Sequence, residues 1–142
     1  MSLITSSLRQ FQAAPATLPG LLDAALLAFE DLLTEFRLAQ DPASPLFAAL
    51  TMGAAAAANG RDAVLFAPSL PPSPANTAEA EHAAPADVAG PDTAELGALC
   101  MTLASRLEHA AASAVVPGDR RACHDAARCA RDIRDLLVGT LP

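Results

Sequence analysis

Lysine, tryptophan and tyrosine are all absent from this 142-residue chain, and each absence narrows what it can be. Without lysine, every basic group is an arginine, nine against 16 acids, for a formal charge of −7. That balance does not suit a general nucleic-acid binder, because neutralising phosphates needs a basic surface. Acidic mimicry of nucleic acid is an alternative that predicts an aligned row of acids. Here the acids are spread out, and a charge of this size is ordinary for a soluble domain. Aromatic residues make up 4 %, all of them Phe, so the core must be mainly aliphatic. β-Branched residues are scarce and alanine is abundant, which favours helix.

Other absences set the compartment and exclude common chemistries. No run approaches the ~18 consecutive apolar residues of a membrane span, and residues 1–17 hold no apolar stretch of signal-peptide length. Three cysteines, at 100, 123 and 129, are an odd number, which argues against a disulfide framework and for a reducing compartment. The expected location is the cytoplasm. The lysine-free, Ala- and Arg-rich usage fits a GC-rich bacterial source. There is no phosphate-binding Gly-rich loop, no Gly-x-Ser-x-Gly and no dinucleotide fingerprint.

The most informative stretch is Thr17–Gln40. Leu22, Leu26, Phe29, Leu33 and Phe36 recur at spacings of 4, 3, 4 and 3, which places all five on one helical face. Thr17 is a plausible N-cap, Pro19 is tolerated in the first turn, and Asp41-Pro42 marks the end. Residues 1–16 form a leader in which Leu3, Ile4, Leu8 and Phe11 either make a short amphipathic turn that docks on the body or belong to a frayed end. Ser44-Pro45 opens a second helix that Asn59-Gly60 is expected to stop. The connection is about three residues, which predicts antiparallel packing. Gly53 and the alanine run suggest a close crossing.

Residues 61–91 change character. Six of the twelve prolines fall between Pro68 and Pro91, so this stretch reads as an extended crossover linker. A Pro-rich ligand for a recognition domain is the alternative, but no Arg or Lys flanks PSLPPSP. Val64, Leu65 and Phe66 are expected to anchor the start of the linker. Asp92 with Glu95 announces a third helix, whose stripe runs Leu96, Cys100, Leu103, Leu107, Ala110, Ala114. Val115-Val116-Pro117-Gly118 ends it, and Asp119 caps a fourth. There Ala122 or Cys123, Ala126, Ala130, Ile133 and Leu137 face inward, while Arg121, His124, Asp125, Arg128, Arg131, Asp132 and Asp135 face outward. Three pairs at i, i+4 are expected: Arg121/Asp125, Arg128/Asp132 and Arg131/Asp135. The resulting expectation is one all-α domain. It is a four-helix bundle of two antiparallel hairpins, 17–60 and 92–138, joined by the 61–91 linker and followed by a tail at 139–142.

Candidate chemistry is sparse. The only Glu-x-x-His, Glu79–His82, lies in the linker, so a di-iron site of bundle type is not expected. Cys123, His124 and Cys129 lack zinc-ligand spacing. No metal and no cofactor is expected. Cys123 is the possible reactive thiol, because Arg120, Arg121, His124 and a helix N-terminus are near it in sequence and could lower its pKa. The outward arginines Arg121, Arg128 and Arg131 make either a solvated face or a docking strip for an acidic partner, including the acidic half of a second copy.

The segment Leu136–Pro142, with Asp135 before it, resembles the short Gly-Ser/Thr-Leu peptides that direct cargo proteins into encapsulin shells. The resemblance implies a role as shell cargo, although the flexible tether of such peptides is missing. Apart from it, the reading that the chain favours is a non-enzymatic helical interaction module: an adaptor, chaperone or assembly component. Leu32 beside Leu33 and Leu99 beside Cys100 widen the apolar stripes, so Leu32 and Leu99 are expected to meet another protein or a second copy. A bundle that holds a small apolar molecule, or is weakly enzymatic, is the alternative. Neither nucleic acid nor membrane is an expected partner.

Overall fold

A computed structural model describes residues 9, 11, 17–39, 41–71 and 93–139. Four long helices account for most of them, and no strand occurs among the described residues: α1 (Leu18–Leu38), α2 (Phe47–Leu65), α3 (Thr93–Ser113) and α4 (Pro117–Gly139).

The α1 helix begins as its sequence dictates. Thr17 is extended, at φ −80° and ψ 149°, and its hydroxyl accepts from the Gly20 N–H at 3.4 Å. That satisfies one of the orphan donors of the first turn, where Pro19 has none to lose. The five stripe residues of α1 are all buried, together with Leu21, Ala25, Ala28 and Leu32. So wide a buried face means that α1 is covered from more than one side.

The first cover is α2, and the fit is specific. A methyl group built on Gly60 would stand 2.3 Å from Cε1 of Phe29, and one on Gly53 would stand 3.3 Å from Cε2 of Phe36. Phe29 and Phe36 are seven positions apart, as are Gly53 and Gly60. Two Phe rings of α1 therefore sit over two glycines of an antiparallel α2. Leu50, Ala57 and Val64 complete this buried face. The close crossing expected at Gly53 is present. Gly60, expected to stop α2, is instead buried inside it, and the helix continues to Leu65. The ring that fills the space over Gly60 explains why glycine stands there.

The α1–α2 connection is longer than expected and occupies residues 39–46. Within it the Asp41 carboxylate accepts from Ala43 N–H at 3.0 Å and the Ser44 hydroxyl accepts from Leu46 N–H at 3.1 Å. Ser44 thus closes a turn rather than capping α2, whose N-cap, Leu46, makes no side-chain cap bond.

The α4 helix starts at Pro117, so Pro117 and Gly118 open it rather than close α3, and Asp119 lies in its first turn. Proline suits the first position because its missing N–H would be unpaired there. Asp119 is 1 % exposed and accepts from the backbone N–H of Ser69 at 2.9 Å and from the Ser69 hydroxyl. Beside it, a methyl on Gly118 would stand 2.8 Å from Cγ of Pro68. These contacts tie the turn that leaves α2 to the start of α4, so the two helices run in opposite directions. Of the expected anchor, Val64 is buried, but Leu65 is half exposed and Phe66 is 84 % exposed. The anchoring is polar, through Ser69 and Asp119.

The α4 helix packs on both α2 and α3, α1 packs on α2 and meets α3 only loosely, and among the described residues α1 does not touch α4 nor α2 touch α3. Residue size accounts for the difference. The buried faces of α2 and α4 are mostly Ala and Gly, whereas α1 and α3 oppose Leu and Phe. Arg120 donates to the Ala114 carbonyl at 2.9 Å and so satisfies an acceptor at the end of α3. Ahead of α1, buried Phe11 lies beneath the Arg106 guanidinium, 5.1 Å from the ring centroid, and its carbonyl accepts from the same arginine. The docking expected of the leader is present at this residue. The helix contacts are compatible with a bundle.

Candidate functional site

The inner and outer faces of α4 are those that the sequence predicts. Cys123, Ala126, Ala130, Ile133 and Leu137 are buried, and all seven polar positions from Arg121 to Asp135 named above are exposed. The ion pairs differ from the expectation. Arg121 does reach Asp125, at 3.9 Å. Arg131 instead turns to α3 and pairs with Glu108. Asp132 and Asp135 form no ion pair among the described residues, and Arg128 stands exposed between the two halves of the helix.

Leu32 and Leu99 are both 0 % exposed, which corrects their assignment to a partner-facing strip. Their width is used inside the fold, because α1 and α3 each meet more than one neighbour. Cys123 is corrected for a related reason. Its side chain is buried, and burial, with the Asp119 carboxylate second, pushes the thiol up to about 11. The arginines next to it in sequence point outward and do not offset this. Cys100 is pushed up to about 12 by burial, and burial also raises the half-buried Cys129. A thiol held neutral is a poor nucleophile.

Among the described residues no group of three His, Cys, Asp or Glu side chains could hold a metal ion. The Glu79–His82 pair lies outside the described residues, as do Thr140 to Pro142. Of the segment that resembles a shell-targeting peptide, Leu136–Gly139 is the last turn of α4, and Leu137 is buried. No described helix is long and apolar enough to cross a membrane.

The surface that stands out is the outer face of α2. Between Asp41 and Arg61 the chain carries no charge, so α2 from Phe47 to Gly60 is apolar on both sides while only one side is covered. Its uncovered side shows Ala48, Met52 at 58 % exposure, Ala55 and, just past the helix, Phe66. A helix that is apolar all round is normally buried all round. Along its border with α4 runs an open groove of about 770 Å³ with a floor of Pro45, Ala48, Met52, Ala55 and Leu136. Asp132 and Asp135 line its α4 side. A second cleft, of about 690 Å³, lies at the opposite end of the molecule between Leu18, Leu21, Arg106, His109 and Ser113.

No family model matches this chain. No curated protein and no solved structure matches it significantly either.

Sequence reasoning did not single out Met52. The signal available was the uncharged span itself: an amphipathic helix needs a polar face, and from Phe47 to Gly60 this one has only Thr51 and Asn59 to supply it.

Proposed function

We propose that the protein is a non-enzymatic helical interaction module and that its working surface is the outer face of α2 with the adjoining edge of α4. The framework is an antiparallel four-helix bundle. In it the Pro-rich stretch that follows α2 is the crossover that joins the two hairpins. The observation that carries the reading is the exposure of Met52 on α2, and of Phe66 just past its end, along a helix with no charged residue between Phe47 and Gly60. An uncovered apolar face with a carboxylate-lined edge is what a partner buries. The arginines take a secondary part: Arg121 and Arg128 lie on the exposed α4 stripe, whereas Arg131 serves the α3–α4 contact.

The experiment is photo-crosslinking in cells from a photoreactive residue placed at Met52. The control is the same residue at Met101, which is 47 % exposed on α3. A discrete adduct from position 52 and none from position 101 supports the assignment. Equal yields from both, or none from position 52, refute it.

A further inference from the structure

The proposed interaction face carries two separate patterns that share one point of symmetry. From this we infer that its occupant is a second copy of the same chain, docked antiparallel about a two-fold axis level with Arg128 of α4 and Asn59 of α2. The inference rests on the interaction reading above and adds the partner.

The first pattern is the charge along the outer stripe of α4. Arg121, Asp125, Arg128, Asp132 and Asp135 recur at spacings of 4, 3, 4 and 3, and all are exposed. On this face Arg121 and His124 stand with Asp125 in the N-terminal half, and Asp132 and Asp135 stand in the C-terminal half with Arg131, which turns to Glu108 of α3. Reversing the stripe about Arg128 brings Arg121 opposite Asp135 of the second copy and His124 opposite Asp132. Asp125 falls opposite Arg131. An isologous contact has to be self-complementary in this way. A parallel arrangement would set like charges against each other. Arg128 alone meets its own counterpart, at the axis. The two carboxylates that the second copy would engage, Asp132 and Asp135, are the ones without an ion pair among the described residues.

The second pattern is apolar and lies on α2. Met52 and Phe66, 58 % and 84 % exposed, stand seven positions either side of Asn59. Reversal about Asn59 lays Met52 of one copy on Phe66 of the other.

The two centres lie at about the same height. Ser69 meets Asp119 and Pro68 meets Gly118 where α2 ends and α4 begins. Nine residues forward from Asp119 is Arg128, and ten back from Ser69 is Asn59. The count differs by one residue, with 66–69 forming the turn after α2, and the groove agrees with it: Met52 and Ala55, seven and four positions before Asn59, line it together with Asp132 and Asp135, four and seven positions after Arg128. One axis across both helices therefore satisfies the charges on α4 and the apolar residues on α2 together. Nothing in the packing of either helix inside the monomer requires that coincidence.

A charge swap tests this on the full-length protein by sedimentation equilibrium. The wild-type chain is expected to show a monomer–dimer equilibrium. Asp135→Arg sets arginine against Arg121 of the other copy at two symmetric places, and dimerisation should weaken at least about tenfold. Arg121→Asp alone should weaken it similarly. The double variant Arg121→Asp/Asp135→Arg restores opposite charges only if the partner is an identical chain, and it should recover most of the affinity. All of these positions are exposed, and unchanged thermal melts would show that the variants fold. Weakening by each single change without recovery in the double overturns the inference, as does a wild-type chain that stays monomeric throughout. In that last case the crosslinks from position 52 separate the two claims. A discrete adduct with another protein retains the interaction reading and removes only the self-partner; no adduct removes both.

Discussion

Replacing Gly60 with alanine puts the packing of α1 on α2 under direct strain. The new methyl would lie 2.3, 2.7 and 2.7 Å from three carbons of the Phe29 ring, which is itself fully buried. A ring hemmed in on all sides cannot swing away as the end of a flexible chain could, so α2 must shift or Phe29 must leave its rotamer. Overpacking of this kind costs about 1–3 kcal/mol, and contacts this short belong at the upper end. Alanine returns about 1 kcal/mol through its better helix propensity. The net expectation is a loss of about 1–2 kcal/mol. Two other glycines serve as internal controls. At Gly53 the methyl would stand 3.3 Å from Phe36, so strain and propensity should nearly cancel. At Gly97 nothing lies within 4 Å, and alanine should stabilise by about 0.5–1 kcal/mol. Urea unfolding of the three variants reads the order directly. The Gly60→Ala midpoint should fall by roughly 1 M at an unchanged slope, while that of Gly97→Ala rises. Adding Phe29→Leu to Gly60→Ala should recover part of the loss, because the two sites share one space. A Gly60→Ala protein at least as stable as Gly97→Ala would refute the packing described for this pair.

Two further expectations concern the polar tie and the thiols. Asp119→Ala removes both bonds to Ser69 and leaves a part-buried N–H unpaired, so stability should drop by about 1–3 kcal/mol in urea unfolding; an unchanged midpoint would show that the turn after α2 does not depend on Asp119. Thiol labelling of the native protein should reach Cys129 first, with Cys100 and Cys123 reacting only as the chain unfolds; Cys123 reacting as fast as a free thiol would contradict its burial. Because burial raises Cys123 to about 11 and Cys100 to about 12 from an ordinary value of 9.0, the unfolded chain ionises first. Their contribution to stability is complete below pH 9 and is lost as the pH climbs towards the folded values. Replacing both with Ala should flatten that alkaline decline.

Most of the helical framework was legible because burial along one face leaves a periodic trace. The 4, 3, 4, 3 run from Leu22 to Phe36 is buried throughout, and the two faces of α4 divide where the arginines and aspartates divide. Local signals failed where a distant residue decided the outcome. Asn59-Gly60 has the form of a helix stop, yet the ring that demands glycine comes from Phe29, thirty-one positions earlier. Asp119 has the form of a cap for its own helix, yet its carboxylate is taken by Ser69. Leu32 and Leu99 looked surplus because a sequence shows the width of a stripe but not the number of neighbours that cover it. Cys123 looked activated because its basic neighbours are close along the chain, whereas successive side chains on a helix point about 100° apart. The outer face of α2 was hidden by the opposite problem: alanine is compatible with core and surface alike, so only the missing charges between residues 41 and 61 pointed to it.

The claim on which the account turns is that the apolar outer side of α2 is where this protein meets a second copy of itself. Methionine methyl resonances report on it with little ambiguity, since Met52 and Met101 are similarly exposed on different helices. In a dilution series of selectively labelled full-length protein, the Met52 methyl signal should shift or broaden with rising concentration while that of Met101 stays in place. A Met52 signal that does not move, or one that moves in step with Met101, would contradict it.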